Sequence, residues 1–166
     1  MHGNNWNKFC KRITIKASPG VIYRAWTTQD GMEKWFLRKA EFSKPDKSKR
    51  GRTENFQKGD TYEWLWYGYC DDVSESRNIR QANGKDFLQF DFSGDCVVSV
   101  QIKEEAGETL VELTQENIPA DENPETNLYV ACNVGWTFYL ANLKSVLEGG
   151  IDLRNKNVNL EKVINA

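Results

Sequence analysis

Histidine is nearly missing from this chain. The single residue of its type is His2, at an end expected to fray. Its scarcity excludes Ser-His-Asp and Cys-His nucleophile systems, His-ligated zinc and the commonest general base near neutral pH. Any catalysis would have to run on carboxylates, Lys, Tyr or Cys. Cysteine is also sparse: Cys10, Cys70, Cys96 and Cys132 are widely separated and form no CxxC pair. They read as reduced, packed thiols rather than disulfides or metal ligands. No metal, cofactor or catalytic residue is assigned. Positive charge is not in excess, since Lys and Arg number 22 against 24 Asp and Glu. Without a basic field to hold a phosphate backbone, nucleic acid is not expected as a partner. No stretch approaches the roughly 18 consecutive apolar residues of a spanning helix, so no membrane span is expected. The first ten residues include Trp6, Lys8 and several Asn instead of a continuous apolar run. No signal peptide is visible, and the expected location is cytoplasmic.

Aromatic side chains, by contrast, are plentiful: six Trp, six Tyr and eight Phe among 166 residues. A chain of this length can bury about 70% of its unfolded surface in one core. Residues 1–154 are expected to form one domain, and 155–166 a polar tail, either docked or disordered.

The strongest periodic signal lies in residues 127–148. Cys132, Trp136, Leu140, Leu143 and Leu147 recur at helical spacing and place bulky apolar groups on one face. Such a helix would be roughly 33 Å long, and Gly149 supplies the φ > 0 stop expected beyond its end. Upstream, residues 9–17 alternate as a strand. Ser18-Pro19 then signals a helix start, and Thr28 caps a second short helix reaching Phe36. Residues 39–56 carry Lys44, Lys47, Lys49, Arg50 and Arg52 among turn formers and read as a mobile, solvated loop. From Gly59 the pattern becomes strands separated by turn signals at Asn83-Gly84, Ser93-Gly94 and Ala106-Gly107. Five or six strands joined in this way make an antiparallel meander.

This order resembles the helix-grip fold of the START-like, or SRPBCC, superfamily, an α+β class in which a sheet curls around a long C-terminal helix. Within it the chain resembles the bacterial relatives of the C-terminal domain of the activator of the ninety-kilodalton heat-shock protein's ATPase. The match is carried by Ala25-Trp26-Thr27-Thr28, Trp35-Phe36, Gly59-Asp60-Thr61-Tyr62, Phe90-Asp91-Phe92-Ser93 and Leu113-Thr114-Gln115. Gly135-Trp136, Leu140, Asn142-Leu143-Lys144 and Leu147-Glu148 complete it. The resemblance implies an elongated apolar cavity between sheet and helix, used by members to bind hydrophobic molecules and by a few to catalyse cyclisation. The eukaryotic activator's N-terminal domain, responsible for much of its chaperone contact, is expected to have no counterpart here, because the first strand begins near the start of the sequence.

The candidate ligand-cavity residues are Tyr62, Trp64, Trp66, Phe90, Trp136 and Leu140, with Glu63 and Arg77 as polar candidates. The same aromatics at strand and helix spacing read first as plain core, and the ionisable residues Glu63, Glu75, Arg77, Arg80 and Asp91 read first as solvent-facing or paired across strands. Cys132 reads as a buried small residue, with no cation nearby to activate it. The leading expectation is a non-enzymatic domain binding an unidentified hydrophobic or aromatic small molecule. The alternatives are a co-chaperone or stress-response accessory with a chaperone as partner, and a cyclase- or hydratase-like enzyme using a cavity carboxylate or tyrosine. Oligomeric state is left open.

Overall fold

The computed structural model describes residues 5–164, so His2 and the last two residues of the tail lie outside it. The chain runs β1 (Phe9–Thr14), α1 (Pro19–Thr27), α2 (Gln29–Glu33), β2 (Lys39–Ser43), β3 (Thr61–Leu65), β4 (Ser74–Ala82), β5 (Phe87–Phe92), β6 (Cys96–Glu105), β7 (Glu108–Glu116) and α3 (Leu128–Leu147). Seven antiparallel strands form one sheet in the order β1-β7-β6-β5-β4-β3-β2. The hairpin steps follow the chain, and β1 closes the far edge by pairing with β7 from Phe9↔Gln115 to Thr14↔Leu110. This is the helix-grip α+β fold.

Local chemistry explains the turns. Asn83 Oδ1 accepts the amides of Lys85, Asp86 and Phe87 at 2.9, 2.9 and 3.0 Å, and Gly84 adopts φ +75°. That pair therefore makes the β4–β5 hairpin without strain. Ser18 caps α1 through Val21 N, Thr28 caps α2 through Gly31 N, and Asn127 caps α3 through Val130 N. α3 ends where Gly149 takes φ +80°.

Alternation sends one face of each strand inward. Leu88, Phe90 and Phe92 from β5, Val98, Val100 and Ile102 from β6, and Val111 and Leu113 from β7 meet Trp136, Tyr139, Leu140 and Leu143 of α3. The paired helices contribute Ile22, Tyr23, Trp26 and Met32, with Trp35, Phe36 and Leu37 following α2.

The segment read as a mobile solvated loop, 39–56, is different. Its start is an edge strand, β2, paired with β3 from Lys39↔Leu65 to Ser43↔Thr61. Three of its basic side chains, Lys49, Arg50 and Arg52, are paired with carboxylates. Arg50 makes a bidentate contact with the fully buried Asp60 at 2.6 and 3.0 Å. Arg52 reaches Asp30 and Glu33, and Lys49 reaches Glu41. α2 is also shorter than the pattern suggested, ending at Glu33 with Trp35 and Phe36 in the turn beyond it.

The C-terminal passage begins with a polar latch. Asn142 donates from Nδ2 to Trp35 O (2.7 Å) and to Asp152 Oδ1 (3.0 Å), while its Oδ1 accepts Leu153 N (2.7 Å). Arg154 donates to Leu37 O (3.0 Å), Glu33 O (2.9 Å) and Asp152 Oδ2 (2.8 Å). Residues 155–164 then form neither strand nor helix.

Candidate functional site

The N-terminal half of α3 and the ends of β3, β4 and β5 enclose a groove of about 670 Å³. Its walls are mainly apolar: Phe36, Trp66 and Phe92 on one side, Leu128, Trp136, Phe138 and Tyr139 on α3, and Lys162, Val163 and Ile164 where the tail returns. The groove arises because α3 changes character along its length. Its C-terminal half buries Tyr139, Leu140 and Leu143 against the sheet, whereas Val130 and Val134 in the N-terminal half are 48% and 64% exposed.

Two of the six apolar candidates, Trp66 and Trp136, border this groove. Trp136 is both wall and core. Its Nε1 donates to Gln115 Oε1 at 2.8 Å, and its ring lies 5.1 Å from Phe36 and 5.2 Å from Phe92. Tyr62, Trp64, Phe90 and Leu140 are packed beneath, all nearly inaccessible, with Tyr62 stacked on Trp64 at 3.7 Å. Their aromatic density fills the space between sheet and helix. A buried indole normally finds an acceptor; Trp35 does so at Ala25 O (2.9 Å), but Trp26 Nε1 and Trp64 Nε1 have none among the described residues.

The polar candidates lie elsewhere. Glu63 and Arg77 border a separate, smaller polar hollow of about 310 Å³ beside Lys49 and Asn78, and Glu63 lies 3.5 Å from Lys39. Strand register places Arg77 and its neighbour Glu75 on one side of the sheet. Arg77 stands opposite Tyr62 and Glu75 opposite Trp64, and facing residues share one side of a sheet. The hollow is bordered mainly by the alternate pairs Thr61–Asn78 and Glu63–Ser76, on the other side of the sheet, while Glu75 borders the groove.

Glu75 is thus the carboxylate in the groove wall. Its side chain is 15% exposed and accepts the Ser93 amide on Oε1, with Arg77 Nε 3.6 Å from the same oxygen. Burial raises the Glu75 carboxyl above the usual carboxylate range, with Ser93 and Arg77 opposing the shift. Burial likewise raises the thiols of Cys132 and Cys96, which leaves them protonated and unreactive. No group of three or more His, Cys, Asp or Glu able to hold a metal occurs among the described residues.

A curled seven-stranded sheet gripping a C-terminal helix, with an apolar groove between them, defines a START-like domain. The family described as Activator of Hsp90 ATPase homolog 1-like protein matches residues 16–148, and the chain belongs to that family. No curated protein matches the sequence. Among solved structures, a Staphylococcus saprophyticus protein aligns at a TM-score of 0.67 and 16% identity, over 89% of this chain and 96% of its own. The Aha1 dimer of Colwellia psychrerythraea aligns at 0.65 and 23%, over 86% and 97%. DynU16, described as a putative protein of the dynemicin biosynthetic locus, aligns at 0.66 and 14%, over 90% and 50%. At these identities the likeness is one of fold.

Proposed function

We propose that the protein binds a hydrophobic, ring-bearing small molecule in the groove between the sheet and α3. The observation that carries this reading is the groove itself: about 670 Å³, within the size range of small-molecule sites, walled mainly by aromatic and aliphatic side chains with few polar groups. A guest of that kind removes the exposed faces of Trp66 and Phe138 from water, at about 25 cal/mol per Å². Binding, not catalysis, is the proposed activity.

The test is a thermal-shift screen of the purified protein against metabolites and lipids. A guest that binds only the folded state stabilises it by about 2.7 kcal/mol at a hundredfold excess over its Kd. Gly135→Phe provides the control. Gly135 borders the groove, and a Cβ there meets nothing within 4 Å, so the ring is tolerated by the helix while occupying guest space. The shift is expected to vanish in that variant, and a shift that persists places the guest elsewhere.

The family description supports a second reading, docking to a chaperone ATPase. Titrating the protein against such a chaperone while following ATP hydrolysis decides it, and an unchanged rate removes it.

A further inference from the structure

Two charged side chains border the groove among the described residues: Glu75 on β4 and Lys162 on the tail. Glu75 is set in the sheet, whereas Lys162 lies beyond the last helix, in a stretch with no strand or helix. The ionisable group built into the groove wall is therefore a carboxyl, Glu75. Building on the groove reading above, we propose that Glu75 selects the guest by its head group: an apolar, ring-bearing molecule ending in a hydroxyl or amine is accepted, and one ending in a carboxylate is refused.

The contacts of Glu75 show why. The Ser93 amide and Arg77 Nε both approach Oε1, and among the described residues no bond reaches Oε2. A carboxylate oxygen can only accept when ionised, so the group a guest must bring is a donor. Hydrogen bonds to an ionised partner are stronger than neutral ones, and they gain further where water is scarce. A carboxylate guest would instead place a second negative charge against Glu75 among aromatic walls, where repulsion is poorly screened. Arg77 does not reverse this balance. It is 41% exposed and already beside Glu75, and it opens onto the neighbouring hollow. Ser93 also borders the groove and lies next to Glu75, placing a hydroxyl at the same end.

Four matched probes test the assignment by quenching of tryptophan fluorescence at neutral pH: methylnaphthalene, naphthylmethanol, naphthylmethylamine and naphthoate. Wild type is expected to bind the alcohol and the amine about tenfold more tightly than methylnaphthalene, and naphthoate least well. Glu75→Gln retains an acceptor for the Ser93 amide and adds a donor. It should close the gap between alcohol and naphthoate and leave methylnaphthalene unchanged. Should Glu75→Gln fold poorly, the wild-type series alone still decides. Naphthoate binding as tightly as the alcohol, or a gap that survives Glu75→Gln, overturns the head-group assignment while the groove reading stands. Failure of all four probes to bind, methylnaphthalene included, removes both.

Discussion

Arg154 is a guanidinium with no water around it: its side chain is fully buried, and its donors are spent on Leu37 O, Glu33 O and Asp152. An arginine suits this position because its planar fork reaches two carbonyls and a carboxylate at once. Arg154→Met keeps much of the volume but leaves the Leu37 and Glu33 carbonyls without their donor and takes the guanidinium from Asp152, and urea unfolding should show a loss of about 3–5 kcal/mol. Asp152 gives the same latch a pH dependence. Burial opposes its ionisation, yet the bonds from Arg154 and Asn142 outweigh burial and hold the carboxyl well below its ordinary value. Its stabilisation is therefore complete above the ordinary carboxylate range and is lost as pH falls through the depressed value. Glu75 acts in the opposite sense. Its raised carboxyl value means stability declines as pH rises from the ordinary carboxylate value through the raised one. Urea midpoints across that range should show Glu75→Gln more stable than wild type at neutral pH and equal to it in acid. Asp152→Asn should instead lose most of its deficit as the pH falls.

At the scale of elements, the connection between β2 and β3 shows why one charged segment is ordered. The stretch between Ser43 and Thr53 holds one buried pair, Arg50–Asp60, and several exposed ones. Only the buried pair should matter much. Arg50→Met leaves Asp60 charged and inaccessible, at a cost of about 3 kcal/mol or more, and should open the connection to limited proteolysis. Arg52→Met, at an arginine 57% exposed, should cost less than about 1 kcal/mol and leave the digestion pattern unchanged. This element was not legible in the sequence. A run of lysines and arginines among turn formers looks the same whether solvated or paired, because its partners Asp30, Glu33, Glu41 and Asp60 are identified only by folding. α3 was legible almost to the residue, since cap, apolar period and glycine stop all act within a few turns. The hairpins were legible for the same local reason.

At the scale of the whole molecule, the sheet holds α3 by its C-terminal half and leaves the other half to form the groove, with Lys162, Val163 and Ile164 at its margin. Among the described residues beyond the latch, Lys156 meets Asp152 and the Tyr67 ring, Leu160 N meets Asn157 O, and Asn157 N and Asn159 N bond to the side chains of Asn155 and Asn157. Truncation after Asn155 should therefore change stability by less than about 1 kcal/mol. In stopped-flow measurements it should also speed association of any groove probe; an unchanged rate would mean that the tail does not restrict entry.

The sequence by itself determined the elements, their order, the turns between them and the pool of aromatic side chains that had to be buried. Each depends on interactions within a few residues or on a period that repeats along the chain. Only the tertiary structure decided which aromatics are wall and which are core. Trp64 and Trp66 share one alternating face in the sequence, but one lies fully buried under its neighbours and the other borders open space, because β3 ends at Leu65 where the helix stands away from the sheet. It also separated Glu75, in the groove, from Glu63 and Arg77, beside the hollow. Periodicity assigns a side chain to a face, but whether that face meets a neighbour, a cavity or water depends on where distant segments stop.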